Sequence, residues 1–411
     1  MRNRVIWIMA VLLQFVLADA SAQKVETGIE VLRDSGFKLL QGKRVGLITN
    51  PTGVDSHLKS TVDILNEAPN VKLVALYGPE HGVRGDVYAG DQVGTSIDKQ
   101  TGIPIYSLYG KTRKATPEML RGVDVLVYDI QDIGCRSYTF ISTMGLAMEA
   151  AAENNIEFVV LDRPNPLGGL KVEGNLTEDK FISFVSQFKI PYLYGLTCGE
   201  LAKMLNGENM LEKKCKLTVV PMKGWKRSMN FEQTGLPWVL TSPHIPVAAS
   251  AYYYAASGIL GEFDFMSIGV GYTLPFQLFA KDSINAGLLS QRLNNLHLPG
   301  VLFRPIYLKP FYAVGKGQDY SGVQYFLTDY KNVRLTEIQF YVMQEMAALY
   351  PEKKCFSDST ASRFNMFDKV CGSDQIRLRM AVHMKVEDIL PYWRKDEAAF
   401  KEMSKKYYLY K

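Results

Sequence analysis

The sequence predicts an α/β protein, in which a Rossmann-like, doubly wound parallel sheet is followed by a smaller α+β domain. Short apolar segments alternate with helical ones in the first part, as is typical of a parallel sheet covered on both faces. The length of 411 residues also exceeds what one hydrophobic core usually organises. From about residue 248 aromatic residues and glycines become frequent, so we predict domains at 23–247 and 248–411.

The expected elements follow in chain order. Five apolar segments of the first domain are predicted as buried strands: Arg44–Asn50, Val71–Tyr77, Val123–Asp129, Ile156–Asp162 and Lys216–Pro221. Two helices are predicted there at Phe140–Asn154 and Thr197–Asn206, and the second has Thr197 as a possible N-cap with Glu200 three positions later. The second domain is predicted to contain a strand at Gly322–Leu327 and a helix at Leu335–Leu349.

The N-terminal residues have the composition of a secretory signal peptide. Arg2 and Arg4 precede a short apolar run, and Ala20 and Ala22 flank Ser21 at the expected cleavage point. The run is shorter than the roughly 20 apolar residues that a membrane-spanning helix needs, which argues against a permanent anchor. We therefore predict that residues 1–22 are a signal peptide, that the mature chain is periplasmic or secreted, and that it has no stable membrane insertion after cleavage.

Composition and missing motifs exclude several classes of protein. The 47 Lys+Arg and 42 Asp+Glu residues give a net charge of +5 without a basic block, so nucleic acid is not expected as a partner. The first strand is not followed by GxGxxG or GxxxxGK, so no nucleotide cofactor is predicted. CxxC and HExxH are also missing from the sequence, so no metal site is predicted.

The densest group of polar residues follows the second predicted strand. Glu80, His81 and Arg84 lie within five positions, among glycines that permit a tight turn and close approach to a ligand. A partly desolvated carboxylate at the carboxyl end of a parallel strand can serve as a general acid. We predict that Glu80 is catalytic and that His81 and Arg84 bind substrate. The alternative is a capped turn with a surface ion pair.

The second motif follows the third predicted strand. Asp129 and Gln131 alternate in strand register and can share one face, whereas Arg136 and Tyr138 lie in the loop that enters the next helix. A guanidinium there suits a carboxylate ligand, because it can donate two parallel hydrogen bonds. We predict that Asp129 is catalytic and that the other three residues bind substrate. An equally weighted alternative is that Arg136 neutralises Asp129 or Asp132 within the protein.

The third motif, residues 162–169, contains two prolines and two glycines that fix a rigid loop after the fourth strand. We predict that Asp162 is catalytic and that Asn165 binds substrate; the alternative is that Asp162 pairs with Arg163 and merely closes the loop. Two later loops are expected to reach the same edge of the sheet and to contribute Tyr194 and His244 to substrate binding. For His244 a purely structural hydrogen bond is the competing interpretation.

These motifs, in this order, resemble the NamZ family of exo-β-N-acetylmuramidases. The resemblance is found in Tyr77–Gly85, Tyr128–Thr139, Leu161–Pro166, Gly195–Leu201 and the terminal Tyr407–Tyr410, and so covers essentially the mature chain. It implies a Rossmann-like N-terminal domain, a smaller C-terminal domain and release of terminal β-linked N-acetylmuramic acid from the non-reducing end of peptidoglycan fragments. Glu80 matches the family's presumed catalytic glutamate.

The resemblance implies roles for the other candidates as well. Glu80 would protonate the leaving O4 of the next sugar, while Asp129 or Asp162 would act as base or nucleophile, or would orient the site. Arg136 or Arg84 would hold the lactyl carboxylate that distinguishes muramic acid from glucosamine. The implied partners are muramyl saccharides released during turnover and recycling of the cell wall.

The sequence also departs from the family pattern at several positions. Tyr194 stands where a His is expected, His244 and Ile245 replace residues of a Ser-Pro-Asn-Met-Pro segment, and Phe265 and Val270 replace Asn and Arg. These departures leave two alternatives open. One is a non-catalytic periplasmic glycan-binding paralogue, and the other is a glycosidase for another N-acetylhexosamine.

Overall fold

The fold is built on two β-sheets, seen in a computed structural model that describes residues 24–85, 96–353, 356 and 360–411. The strands are β1 Arg44–Thr49, β2 Lys72–Gly78, β3 Ser96–Ile97, β4 Pro104–Ser107, β5 Val125–Asp129, β6 Glu157–Leu161, β7 Lys216–Val220, β8 Leu278–Lys281, β9 Val301–Leu308 and β10 Tyr320–Leu327. The larger sheet has the order β3-β4-β2-β1-β5-β6-β7 and the smaller one β8-β10-β9. The predicted signal peptide lies outside the described residues.

Eleven α-helices occur in the described residues. They are α1 Gly28–Asp34, α2 Thr61–Glu67, α3 Phe140–Glu153, α4 Cys198–Gly207, α5 Ser250–Gly261, α6 Ala286–Asn295, α7 Ile338–Leu349, α8 Ala361–Cys371, α9 Gln375–His383, α10 Leu390–Trp393 and α11 Glu397–Ser404. The capping box predicted at the start of α4 is present, because Thr197 accepts from the backbone of Glu200 while the Glu200 carboxylate accepts from the backbone of Thr197. None of the helices in these described ranges is long and apolar enough to cross a membrane.

The larger sheet is parallel apart from the β3–β4 pair and is buried on both faces. Alternate residues of a strand point to opposite faces. Val125 and Val127 of β5 therefore join a core with α1 and α2, whereas Leu126 and Tyr128 join a second core with α3 and α4. This two-sided burial explains the continuously apolar strand sequences and confirms the predicted α/β class.

The predicted strands of the larger sheet agree with the structure to within two residues at each end. The short strands β3 and β4 were not among the predicted elements. In the second part of the chain an antiparallel three-stranded sheet packs with helices α5 to α8, as expected for a smaller α+β domain, and their core also includes Tyr192 and Leu193 of the first part. The predicted boundary between residues 247 and 248 stays a prediction.

The C-terminal residues return to the larger sheet after the second domain. The Tyr410 hydroxyl donates to Asp162 Oδ2 at 2.5 Å, and the backbone N–H of Leu409 donates to Glu200 Oε1 at 2.8 Å. The Tyr408 ring lies 3.4 Å from the guanidinium carbon of Arg227. The last residues of the chain thus complete the packing around the ends of β6 and β7.

Candidate active site

The candidate site lies where the chain changes direction within the larger sheet. From β1 the chain builds outward through β2 to β4, and it then returns to the other side of β1 to build β5, β6 and β7. Ligands of open α/β sheets bind at the carboxyl ends of the strands beside such a switch point. Glu80 follows β2 and Thr139 follows β5, so the two strands that flank β1 both contribute polar side chains there.

A tight turn after β2 positions Glu80 and His81. A Cβ atom at Gly78 would lie 3.1 Å from the Cα of Gly82, so the close approach of the two backbones favours glycine. His81 has a φ of 71° and Gly82 a φ of 76°, and these two left-handed residues turn the chain back over the sheet edge. Left-handed backbone is uncommon for non-glycine residues and is often found at functional sites.

Glu80 is half-buried at this edge and contacts groups from two neighbouring segments. The Thr139 hydroxyl, at the N-terminus of α3, donates to Glu80 Oε2 at 3.3 Å. On the β4 side lies Tyr109, and burial together with the adjacent Glu80 carboxylate raises the pKa of its hydroxyl. The carboxylate is therefore held by partners but remains partly exposed, so a bound substrate can reach it.

Tyr138 and His244 complete the group around Glu80. The Tyr138 hydroxyl donates to Thr241 Oγ1 at 2.7 Å, and its pKa is raised mainly by burial, with a contribution from the Glu80 carboxylate. His244 Nε2 lies 2.7 Å from the hydroxyl of Tyr312, and burial and the nearby His81 lower the pKa of His244. Glu80, His81, Tyr138 and His244 are thus the predicted site residues that the structure brings together.

Asp129 lies at the end of β5 but is closed off from solvent. It is fully buried, and Arg163 donates to it from Nε at 2.5 Å and from Nη2 at 2.9 Å. The Thr61 hydroxyl donates to its Oδ2 at 2.5 Å. The pairing that closes this loop therefore joins Arg163 to Asp129 and not to Asp162. In this arrangement Asp129 has a structural role and no access to a substrate.

Asp162 is closed off in the same way at the end of β6. It is fully buried and accepts from Thr197 Oγ1 at 2.7 Å, from the Gly199 backbone at 2.7 Å and from the Tyr410 hydroxyl. Burial is the largest influence on this carboxyl and raises its pKa to about 6. The contacts link the C-terminus to the sheet, and they leave Asp162 no accessible oxygen for the catalytic role expected from the sequence.

The two predicted arginine ligands are also engaged by the protein itself. Arg136 is 1% exposed, and its guanidinium donates to three backbone carbonyls and one hydroxyl, those of Asn175, Ile190, Val370 and Ser186. Arg136 therefore joins separate segments of the chain. The sequence suggests that it binds substrate or neutralises Asp129 or Asp132, but in the described residues its guanidinium bonds to these four groups instead. Arg84 donates to both carboxylate oxygens of Asp98 at 2.9 Å, and this pairing lowers the pKa of Asp98 to about 2.

The other three predicted binding residues are buried and bonded to their surroundings. Gln131 Nε2 donates to the carbonyls of Asp132 and Pro164, both at 2.7 Å. Asn165 bridges two backbone groups, those of Leu196 and Leu167. The Tyr194 hydroxyl donates to Asp132 Oδ2. These side chains support the loops beneath the site and do not line it.

Sequence reasoning missed four residues that lie at or below the site: Tyr109, Thr139, Tyr312 and Asp132. Thr139 and Asp132 belong to the second motif, so the pattern contained them but did not single them out. Tyr109 follows β4, which was not a predicted strand. Tyr312 comes from the second domain, and no sequence signal connects it to His244.

Comparison with known proteins identifies the family. The model of the N-terminal domain of exo-β-N-acetylmuramidase NamZ matches residues 45–249, and that of its C-terminal domain matches residues 252–410. The chain belongs to this family. It is 48% identical to the peptidoglycan β-N-acetylmuramidase NamZ of Bacillus subtilis strain 168 over 391 residues, which are 95% of this chain and 92% of the relative.

Two solved structures from Bacteroides fragilis NCTC 9343, both described as DUF1343 family proteins, are similar to this fold. One superimposes with a TM-score of 0.92 at 65% identity and covers 94% of this chain and 99% of its own. The other has a TM-score of 0.74 at 28% identity and covers 95% of this chain and 99% of its own. The arrangement of both domains is thus shared with experimentally determined relatives.

Proposed function

We propose that this protein is an exo-acting glycoside hydrolase that releases terminal β-linked N-acetylmuramic acid from peptidoglycan fragments. Membership of the NamZ family supports the reaction class, and a relative that shares 48% of its residues is named for the same activity. The observation that carries the proposal is Glu80, a half-buried carboxylate at the switch point of the sheet. It is the predicted catalytic carboxylate that remains accessible.

In the proposed mechanism Glu80 protonates the glycosidic oxygen as the bond to the next sugar breaks. Thr139 and Tyr109 orient the carboxyl group. Activation of water is assigned to a group other than the buried Asp129 and Asp162. We assign that role to His244, which lies beside His81 and Tyr312; burial and His81 lower its pKa, which favours the neutral imidazole that can accept a proton.

The decisive experiment compares Glu80→Gln with the wild-type protein on N-acetylmuramyl-N-acetylglucosamine. We expect kcat to fall roughly 10²–10⁴-fold, as is typical for loss of a general acid, with an unchanged melting temperature. Glu118→Gln, at an exposed position of the same domain, is the matched control and should keep wild-type activity. Retained turnover in Glu80→Gln would refute the assignment of Glu80 as the general acid. If the wild-type protein binds the disaccharide but releases no product, the proposal that it is a glycoside hydrolase is wrong.

We also propose that the chain is exported to the periplasm. The support is the sequence of residues 1–22, which has the basic, apolar and small-residue regions of a signal peptide. Cell fractionation followed by N-terminal sequencing tests this directly. A mature protein that begins at Gln23 in the periplasmic fraction is the expected result, whereas an intact Met1 in the cytosol would contradict it.

A further inference from the structure

A pocket of about 260 Å³ adjoins the Glu80 site on the side of the second domain. Its lining includes Tyr254, Glu262, Ser267, Val270, Phe276 and Ala313, and we call it the Glu262 pocket. The Tyr254 ring packs edge-on against Tyr138 with the ring centroids 5.6 Å apart. Ala313 directly follows Tyr312, which contacts His244. The pocket is thus joined to the Glu80 site through the Tyr254 ring and through the chain segment that contains Tyr312 and Ala313.

The Glu262 carboxyl is the polar group of this pocket that the protein does not use. Within the described ranges of the chain it has no hydrogen-bond or ion-pair partner, whereas the neighbouring Asp264 pairs with Arg363. Burial raises the pKa of Glu262 to about 7; Arg363 opposes this shift and Asp264 adds to it. Other titratable groups that interact with it are Tyr254, Tyr192 and Cys371.

The lining indicates the chemistry of a ligand. Ile268, Val270 and Phe276 supply apolar surface, which suits a methyl group or the face of a sugar. A neutral carboxyl group can both donate and accept a hydrogen bond, which matches an amide. An anionic group is disfavoured, because Glu262 and Asp264 are both acidic and Arg363 is already paired. The volume is below the roughly 300–1,000 Å³ of pockets for whole small ligands, so it fits a substituent or one sugar unit.

We propose that the Glu262 pocket binds the acetamido group of the substrate sugar and that Glu262 is a specificity-determining residue. This inference rests on the proposed function, since it assigns a part of the same substrate to a named pocket. The lactyl carboxylate of muramic acid must then point away from Glu262 and Asp264. Discrimination between an acetamido sugar and its hydroxyl counterpart arises at this pocket, because a bound sugar that covers the Glu262 carboxyl without hydrogen-bonding to it leaves that group desolvated and unpaired.

Binding of N-acetylglucosamine and of glucose tests the pocket. The two sugars differ only at the 2-position, where N-acetylglucosamine has an acetamido group and glucose has a hydroxyl group. We expect the wild-type protein to bind N-acetylglucosamine at least 10-fold more tightly at pH 6, measured as inhibition constants or by NMR titration. Glu262→Ala should reduce this ratio at least 5-fold. Glu345→Ala, a substitution of a glutamate elsewhere in the second domain, is the control and should keep the ratio.

Glu262→Gln supplies a second, isosteric variant in case Glu262→Ala does not fold. Because the protonated carboxyl is the form that suits an amide, wild-type affinity for N-acetylglucosamine should fall as the pH rises through about 7, and the variant should lack this fall. An unchanged sugar ratio in both variants, or no binding to the wild-type protein, would overturn the pocket assignment. These binding measurements need no turnover. They can therefore contradict the pocket assignment without contradicting the proposed function, which is tested by the release of N-acetylmuramic acid.

Discussion

The carboxylates at the carboxyl edge of the larger sheet differ in their exposure and in their partners. After β2 the chain leaves Glu80 half-buried, with the Thr139 hydroxyl at 3.3 Å and the Tyr109 side chain beside it. After β5 and β6 the chain covers Asp129 and Asp162 completely, and the carboxylate of each accepts at least three hydrogen bonds. The same sequence signal, a carboxylate at the end of a parallel strand, therefore produces an open group in one place and closed ones in the others.

The difference arises from what packs over each strand end. Arg163 comes from the loop directly after β6 and reaches across to Asp129, while Tyr410 arrives from the end of the chain to cap Asp162. A buried carboxylate must be paired or hydrogen-bonded, so these partners stabilise the loops that they join. Function is consequently expected at the end that the protein leaves incompletely satisfied. Three substitutions test this contrast.

The largest effect on stability is expected at the closed end. Arg163→Met removes the partner of Asp129 and leaves a buried carboxylate with a single hydroxyl donor, which should cost about 3–5 kcal/mol in free energy of unfolding. Arg44→Met, which breaks the exposed pair with Asp124, is the control and should cost less than about 1 kcal/mol. Urea unfolding measures both. Equal midpoints for the two variants would mean that the Arg163–Asp129 pair does not close this loop.

A smaller, pH-dependent effect is expected at Asp132, whose Oδ1 is buried without a partner in the described residues. Burial raises the pKa of this carboxyl from 3.8 to about 6, so its stabilising protonated form is lost as the pH rises through that range. Asp132→Asn has no carboxyl group to ionise at this position. The free energy of unfolding of the variant, relative to that of the wild-type protein, should therefore increase by on the order of 3 kcal/mol between pH 4 and pH 8.

Thermal unfolding of both proteins at intervals between pH 4 and pH 8 measures this relative change for Asp132→Asn. Asp162 has a carboxyl pKa raised to about 6 as well, but it is present in both proteins and cancels in the difference. A constant difference in melting temperature across the range would show that Asp132 does not titrate in this way.

The smallest effect is expected for Tyr410→Phe, which removes one of the hydrogen bonds to Asp162 and the acceptor of the Met222 backbone N–H. Loss of these two hydrogen bonds, at about 1 kcal/mol each, should cost about 2 kcal/mol in unfolding free energy, with unchanged kcat if Asp162 is structural. Tyr408→Phe, two positions earlier, is the control. A large fall in kcat for Tyr410→Phe, at unchanged stability, would indicate that Asp162 takes part in catalysis.

The sequence predicted the larger sheet well because its strands are buried on both faces and are therefore apolar throughout, as Val125–Asp129 illustrates. It predicted the site less well. Residues near a strand end are recognisable as polar, but the pattern does not say whether Arg136 meets a substrate or the carbonyls of Asn175 and Val370. Such partners come from segments far away in the chain, and no local pattern encodes them.

The sequence by itself determined the α/β class, the capping box at Thr197, the turn around Glu80 and the family, because each depends on local spacing or on motifs in order. Only the tertiary structure decided which carboxylates are accessible and that Tyr312 and Glu262 of the second domain lie beside the site. Burial and pairing are properties of contacts between distant segments. They separate Glu80 from Asp129 and Asp162, which the sequence alone treats alike.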